Sequence, residues 1–475
     1  MTSLGHKLST DVIVSGALNL SSRIRDIAMI PILTTSIGVS GYGVYVQLLA
    51  VTALATIVSS LALVPGYVNF AQDSDRKSDR LYYGILTVLA ISSGAVGLLI
   101  SLNAETISIL TLSSTEYKYV FVAGGVLVPS TALSELGRGY YRAQMRNKLA
   151  ALLQAGPDYV RLMSILIVIY VFQSSLREIV IIIVIVESIF AFLLQILIIS
   201  DIGLTTPGIS QVRDILKYSL WLTVSTYASQ VNSRADRLLI GFFIGSTAVG
   251  MYSIAYGLAS LLLIFVTPIR NVFFPEFSRL TAEGGTEKIG NYLSTATHYF
   301  LVLAIPSVVG FVFVSEPLFG YFMSVEEARQ AAQFVFILGL GILFFGLSQL
   351  HGTTLFAARE TKPVAIIRSL AAIGNVGLNL TLIPYFGVVG AAAATAITYV
   401  GSSLLIQVIL QRRFPFIIFW RRLAAVVLSS LGMSIGLTII PFVHITVTIF
   451  VGVLLYGFLI FLLGGVNKTT IKSLI

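Results

Sequence analysis

The sequence runs to 475 residues, of which 56% are hydrophobic and 11% charged, under half the charged share of an ordinary soluble domain, so a solvated globular fold is excluded. At about 20 apolar residues per crossing, the chain has room for a dozen or more membrane spans and none for a large soluble catalytic head. The absence of Cys excludes disulfides, thiolate metal sites and thiol nucleophiles, four scattered His offer no basis for a metal site, and the formal charge of +9 asks for an explanation.

Apolar runs of 18 or more residues between polar breaks predict an all-α polytopic protein of about fourteen segments, over 10–37, 42–69, 81–102, 118–136, 149–172, 178–200, 216–243, 247–275, 293–314, 330–351, 363–384, 388–411, 423–441 and 446–465. The first is too long for a cleaved signal peptide and carries Arg23, Arg25 and Asp26 at its centre. With the amino terminus on the cytoplasmic side, twenty of the thirty Lys and Arg fall in cytoplasmic regions and three, Lys118, Arg177 and Arg329, in exterior loops. That bias places both termini in the cytoplasm. The basic clusters at 137–148 and 411–422 then read as topology signals beside anionic headgroups, with no nucleic-acid partner, and Tyr140, Tyr141 and Trp420 are expected at the membrane interface.

Seven arginines remain inside the apolar segments: Arg23, Arg25, Arg161, Arg234, Arg237, Arg270 and Arg368. Arg270 lies nearest a cytoplasmic end. Each of the others would cost about 2.5–3.5 kcal/mol facing lipid, so they must face polar surroundings. The acids at similar depth, Asp26, Asp158, Glu187 and Asp236, are fewer. Local pairing of Arg25–Asp26, Asp158–Arg161 and Asp236–Arg237 accounts for part of the charge, and the surplus points to a wet cationic chamber suited to an anionic, phosphate-bearing cargo. The same four acids are the candidates for ion coupling, whereas His298 and His351 read as hydrogen-bonded helix residues.

An internal repeat organises the chain. Arg23, Arg25 and Asp26 precede the turn Gly38-Val-Ser-Gly-Tyr-Gly43-Val-Tyr45; Arg234, Asp236 and Arg237 precede Gly245-Ser-Thr-Ala-Val-Gly250-Met-Tyr252. Both copies carry charges at relative positions 0, 2 and 3 and then G-x4-G-x-Y. Six spans lie between them, so the halves are parallel repeats about an axis along the membrane normal. The organisation expected is two pseudo-symmetric six-helix lobes, 1–202 and 203–411, with an appended, lipid-facing helix pair at 412–475.

The stretch Asn375-Val-Gly-Leu-Asn379-Leu-Thr-Leu-Ile-Pro384-Tyr-Phe-Gly387-Val-Val-Gly390-Ala-Ala-Ala-Ala-Thr395 resembles the signature of Wzx-type polysaccharide and O-antigen flippases in the multidrug/oligosaccharidyl-lipid/polysaccharide exporter superfamily. The 38–45 turn, Pro275-Glu-Phe-Ser278 and Leu355-Phe-Ala-Ala-Arg-Glu-Thr-Lys-Pro363 fit the same pattern. The resemblance implies a MATE-like fold in the cytoplasmic (inner) membrane and alternating-access translocation of a polyprenyl-diphosphate-linked oligosaccharide to the outer leaflet. A polysaccharide polymerase and other export-assembly proteins are the implied partners. On that reading Arg23, Arg25, Arg234 and Arg237 hold diphosphate and acidic sugars, Arg161 and Arg368 extend the chamber, and Asn375 and Asn379 are candidates to line a sugar path. No cofactor is expected beyond H+ or Na+ coupling through Asp26, Asp158, Glu187 or Asp236, and no G-x4-G-K-[ST] loop is present, so the reading is a transporter and not an enzyme. A lipid II flippase and an ion-coupled drug exporter of the same superfamily are the alternatives; a membrane glycosyltransferase is disfavoured by the short exterior loops.

Overall fold

The computed structural model describes residues 2–71, 78–172, 175–282, 285–358, 360–439 and 444–465; within these, some side chains, mostly before residue 21 and between 209 and 229, lie outside the description. Among the described residues every regular element is a helix: α1 (Thr2–Ser60), α2 (Leu63–Phe70), α3 (Ser78–Leu102), α4 (Ala104–Leu112), α5 (Lys118–Ala143), α6 (Asn147–Tyr170), α7 (Leu176–Ile202), α8 (Ile209–Phe243), α9 (Ser246–Ser260), α10 (Val266–Ala282), α11 (Thr286–Phe319), α12 (Val325–Ala357), α13 (Thr361–Arg413), α14 (Trp420–Ile439) and α15 (Ile445–Leu462). Among the described residues, eleven helical stretches are long and apolar enough to cross a membrane. The protein is thus an all-helical, multi-pass membrane protein.

Local chemistry sets the boundaries. Two of the long helices are bent by a glycine that leaves helical geometry, Gly38 (φ 73°, ψ 170°) in α1 and Gly387 (φ 58°, ψ −139°) in α13. A side chain at either φ would clash with its own backbone. Each bent helix therefore carries two of the apolar segments that the sequence separates. Ser175 with Glu178 opens α7 and Ser324 with Glu327 opens α12, each as a reciprocal capping box. A short 3-10 turn, Leu261–Ile264, interrupts the eighth predicted segment between α9 and α10.

The chain divides into two compact units, Met1–Gly250 and Met251–Ile475. In the first, Leu63, Tyr67, Tyr82, Leu136, Tyr140 and Ile198 form a buried core from α2, α3, α5 and α7. Tyr82 donates to Gln195 Oε1 at 2.6 Å, and Gln195 Nε2 donates to the Leu133 carbonyl at 2.9 Å, so the Gln195 carboxamide is paired at both ends. Tyr140 and Tyr141 belong to this core, Tyr140 edge-on to Tyr82 at 5.3 Å; they are turned into the protein and do not serve as lipid-facing anchors, because edge-to-face ring contacts among α2, α3 and α5 bury them. Trp420, in contrast, is exposed. Where α3 crosses α5 the backbones touch: a methyl on Gly97 would lie 2.2 Å from the Gly125 carbonyl oxygen, the close approach that small residues give helices in lipid.

In the second unit, Phe277, Leu293, Leu355, Val364, Leu410 and Phe414 make the corresponding core. The helix pair α14–α15 is docked on α11: Ile417 N–H donates to Ser294 Oγ (2.8 Å), Tyr456 hydroxyl to the Val302 carbonyl (2.7 Å), and His298 Nε2 meets the Gly465 carbonyl (3.0 Å). His351 Nε2 pairs with Thr297 Oγ1 at 3.0 Å. Both histidines are hydrogen-bonded helix residues, as their sequence context indicates.

Candidate functional site: charged helices and a glycine turn contact

The first unit brings four of the predicted charges together. Arg25 is 8% exposed on α1; its Nη2 lies 2.6 Å from Asp26 Oδ1 and its Nη1 2.5 Å from Asp158 Oδ2 on α6. Asp158 in turn pairs through Oδ1 with Arg161 Nη2 at 2.8 Å, one helical turn away. Asp158, 19% exposed, thus sits between two guanidiniums, while Asp26 is 66% exposed. This is a balanced network of two Arg and two Asp, with no net charge of its own. The local pairs expected from sequence are present, but the bond from Arg25 to Asp158 joins two helices and is the part that spacing did not reveal. Tyr159, beside Asp158, is hydrogen-bonded to Ser21.

The charges of α8 are arranged differently. Asp236 is 1% exposed and its carboxylate is 4.0 Å from Arg237 Nη1; its Oδ1 also accepts the Arg237 backbone N–H at 2.8 Å. Arg237 Nη1 donates to the Ser233 carbonyl at 2.6 Å, and Arg234 is hydrogen-bonded to Gln230. By sequence, α8 carries four basic residues, Arg213, Lys217, Arg234 and Arg237, against two acids, Asp214 and Asp236. Arg23 is on α1, with its side chain outside the described residues. Glu187 is half-buried on α7, within the electrostatic reach of Arg138 on α5.

In the second unit Arg368 is half-buried on α13, its Nη2 donating to Gln349 Oε1 at 3.1 Å and its guanidinium 5.4 Å from the Phe356 ring centroid. Its charged neighbour is Arg270, and no ion pair to Arg368 occurs among the described residues. Asn375 and Asn379 are fully buried, with Asn379 Nδ2 donating to the Asn375 carbonyl (2.9 Å) and to Asn375 Oδ1 (3.0 Å). Asn375 Nδ2 and Asn379 Oδ1 have no hydrogen-bond partner among the described residues. Pro384, Gly387 and Gly390 build the corner that follows: a methyl on Gly390 would lie 2.3 Å from the Leu382 carbonyl oxygen, and Ala391, Ala392 and Ala394 are wholly buried. Thr395, next along, is hydroxyl-to-hydroxyl with Tyr252 at 3.2 Å.

The two copies of the repeat meet at their turns. Gly38 (φ 73°) and Gly245 (φ 118°) occupy equivalent positions, both in the region that favours glycine. A methyl on Gly43 would stand 1.9 Å from the Ser246 carbonyl oxygen, and one on Gly250 would stand 2.2 Å from the Val39 carbonyl oxygen. Val39 and Ser246 are themselves equivalent in the repeat, so the contact is reciprocal, as two-fold-related surfaces require. Ser40 and Ser246 close it with a 2.7 Å hydroxyl pair. Beneath it, wholly buried Gln47 donates from Nε2 to the carbonyls of Thr111 and Arg237, both at 2.8 Å. Gln47 carries no charge and lies outside the motif, so sequence reading passed over it; its only signal is a carboxamide within an apolar run.

Two family models each match more than half of the chain: polysaccharide biosynthesis protein over residues 8–281, and lipid II flippase MurJ over residues 160–464. The chain belongs to the polysaccharide biosynthesis protein family of the multidrug/oligosaccharidyl-lipid/polysaccharide exporter superfamily. A relative from Haloferax volcanii, the probable low-salt glycan biosynthesis flippase Agl15, is 23% identical over 280 residues, which is 58% of this chain and 59% of that protein. The alignment thus spans less than two thirds of the relative's own length. Among solved structures, the lipid II flippase MurJ in an inward closed conformation superposes with a TM-score of 0.81 over 94% of this chain and 98% of its own, at 17% identity. An inward-facing multidrug resistance MATE family transporter gives 0.67 over 86% of this chain and 98% of its own, at 13% identity. These likenesses establish the fold that the family shares.

Proposed function

We propose that this family member is a flippase that moves a polyprenyl-diphosphate-linked oligosaccharide, the repeat unit of an O-antigen, capsule or exopolysaccharide, from the cytoplasmic to the outer leaflet by alternating access. Its termini face the cytoplasm, it works in the cytoplasmic membrane, and a polysaccharide polymerase takes up its product. The observation that carries the reading is the reciprocal glycine contact between α1, the helix that bears Arg25, and α9, which directly follows the Arg237-bearing α8. A gate must seal and part repeatedly, and backbone-to-backbone contact through glycine with one hydroxyl pair supplies close packing without deeply interlocked side chains. The arginines of α8 and Arg368 supply cationic groups for diphosphate, and guanidinium grips phosphate bidentately. Asp26, Asp158, Glu187 and Asp236 are the groups through which H+ or Na+ would be coupled. Support for a flippase over a drug exporter comes from the surplus of Arg over acid on α8, which suits anionic cargo.

A second reading, lipid II as cargo, is favoured by the MurJ family match over 160–464. One experiment addresses both. The full chain is reconstituted in proteoliposomes with a fluorescent undecaprenyl-diphosphate oligosaccharide, with fluorescent lipid II, or with the lipid-free oligosaccharide. Translocation of the first, faster than the other two, is expected. Equal movement of the lipid-free sugar would end the flippase reading, and preference for lipid II would select the second.

A further inference from the structure

One part of the first unit is not used by this mechanism. On the side where α5, α6 and α7 pack, a cavity of about 140 Å³ is lined by Ser134, Arg138, Leu153, Pro157, Leu193 and Leu194, among others. Leu193 and the further lining residue Leu197 are exposed on the outer face of α7, as is neighbouring Phe192, so the slot opens toward lipid. Alongside it on α6, a methyl added to Gly156 would meet nothing within 4 Å.

Two polar groups point into this apolar space. Ser134 is buried, and its hydroxyl has no hydrogen-bond partner among the described residues. Arg138, one helical turn further along α5, makes no ion pair there either; Glu135, Glu187, Arg142 and Asp158 lie within its field but beyond ion-pair distance. A buried hydroxyl and a guanidinium left without acceptors at the bilayer edge are costly unless a ligand supplies one. Arg138 is five residues from the end of α5 at Ala143, roughly 7–8 Å along the axis at about 1.5 Å per residue, which is the depth at which a lipid phosphate meets its chains. An apolar cavity of roughly 150 Å³ stays dry and accepts hydrocarbon, so this slot fits a few methylenes and has no room or further polar groups for a sugar.

We propose that this slot is a binding site for one anionic bilayer phospholipid, its phosphate held by Arg138 and Ser134 and the head of one acyl chain lying along Leu153, Pro157 and Leu194. Basic pockets between spanning helices recognise acidic lipids in this way, and Arg142, Arg146 and Lys148 follow at the same membrane face. The lipid ties α5, α6 and α7 together. The site needs only that these helices stand in a bilayer, so it holds or fails independently of the cargo.

The test is native mass spectrometry of the purified full chain with phosphatidylglycerol and phosphatidylcholine as probes. Wild type should retain one phosphatidylglycerol in preference to phosphatidylcholine. Arg138→Gln should weaken that retention about tenfold, equivalent to about 1.4 kcal/mol, with Ser134→Ala losing less and Arg138→Lys retaining part. Leu197→Trp fills the slot from its exposed side without touching charge or core, and should displace the lipid from a monodisperse protein; it carries the test if Arg138→Gln does not fold. Equal retention of the two lipids, wild-type retention by Arg138→Gln or by Leu197→Trp, or displacement of phosphatidylglycerol by undecaprenyl diphosphate overturns the assignment.

Discussion

Gly43 and Gly250 stand so close that a methyl on Gly43 would lie 2.9 Å from the Gly250 nitrogen and 1.9 Å from the Ser246 carbonyl oxygen. Neither neighbour is a flexible side chain, so the backbones would have to separate. Gly43→Ala and Gly250→Ala are therefore expected to hold this contact open and to lower translocation at least tenfold, with normal insertion and expression. Protease or maleimide access to a Cys placed at Val39 should rise in both variants; unchanged access together with unchanged transport would contradict the gate.

Ser40 and Ser246 offer a direct handle on the same contact, because their hydroxyls are 2.7 Å apart and the chain has no native Cys. Disulfides need Cβ atoms about 3.5–4.5 Å apart, and hydroxyl oxygens in direct contact bring the two side chains within reach of that spacing. The double variant Ser40→Cys/Ser246→Cys should cross-link under mild oxidant, stop transport while oxidised, and recover it on reduction. Cross-linked protein that transports at the full rate would show that the turns need not part.

Asp158 and Asp26 both touch Arg25, but they differ in surroundings. Asp158 is 19% exposed between two guanidiniums and Asp26 is 66% exposed. Removing one member of a buried ion network costs about 3–5 kcal/mol, whereas an exposed pair is worth about 0–1 kcal/mol. Asp158→Asn should lower the thermal midpoint clearly and Asp26→Asn hardly at all, and the double variant Arg25→Gln/Asp158→Asn should recover part of the loss through a coupling of about 1–3 kcal/mol. Thermal unfolding of the detergent-solubilised protein, followed by intrinsic fluorescence, measures all three.

Arg368 gives the opposite expectation. It is held by Gln349 and the Phe356 ring with no acid paired to it among the described residues, so neutralising it strands no carboxylate. Arg368→Gln should leave the thermal midpoint within a few degrees of wild type while slowing translocation of the diphosphate-linked cargo several-fold. Arg368→Lys should restore only part of the rate, because an ammonium lacks the planar fork.

At the end of α10, Arg279 grips Glu276 through two bonds, Nη2 to Oε1 at 2.6 Å and Nε to Oε2 at 3.0 Å. This hydrogen bonding holds the Glu276 carboxyl below its ordinary value of 4.5. A depressed carboxyl contributes stability above its unfolded value and loses it as pH falls through its folded value. The small difference in thermal midpoint between wild type and Glu276→Gln should therefore be present at neutral pH and close on acidification below the ordinary carboxylate range.

The repeat was readable because its turns are written in glycine: Gly38 and Gly245 are needed for backbone geometry and Gly43 and Gly250 for approach, so each left a mark in the sequence. The helices were readable because lipid demands long apolar runs. What the runs could not convey is continuity, since α1 and α13 each pass through a bend at one glycine, where polar breaks suggested separate segments. Counting charges predicts the local pairs and a surplus of arginine over acid, but not which helices the charges join. In space, Asp158 also reaches Arg25 across 133 positions of sequence, a pairing that depends on how α1 and α6 pack. Tyr140 and Tyr141 misled for a related reason: beside a basic cluster an aromatic ring resembles an interfacial anchor, and only the neighbouring Tyr82 turns it inward.

The docking of α14 and α15 onto α11 bears on how the protein can be cut or fused. Ser294, His298 and Val302 lie one turn apart along a single helix, and each spends a polar group on the carboxyl-terminal pair. Truncation after residue 411 would strip these groups of their partners beyond α11, leaving Ser294 only its bond to the Gly290 carbonyl and turning the stripe toward acyl chains. The terminal hairpin is therefore insulation for α11, and a shortened protein should be sought in aggregates before it is scored for activity.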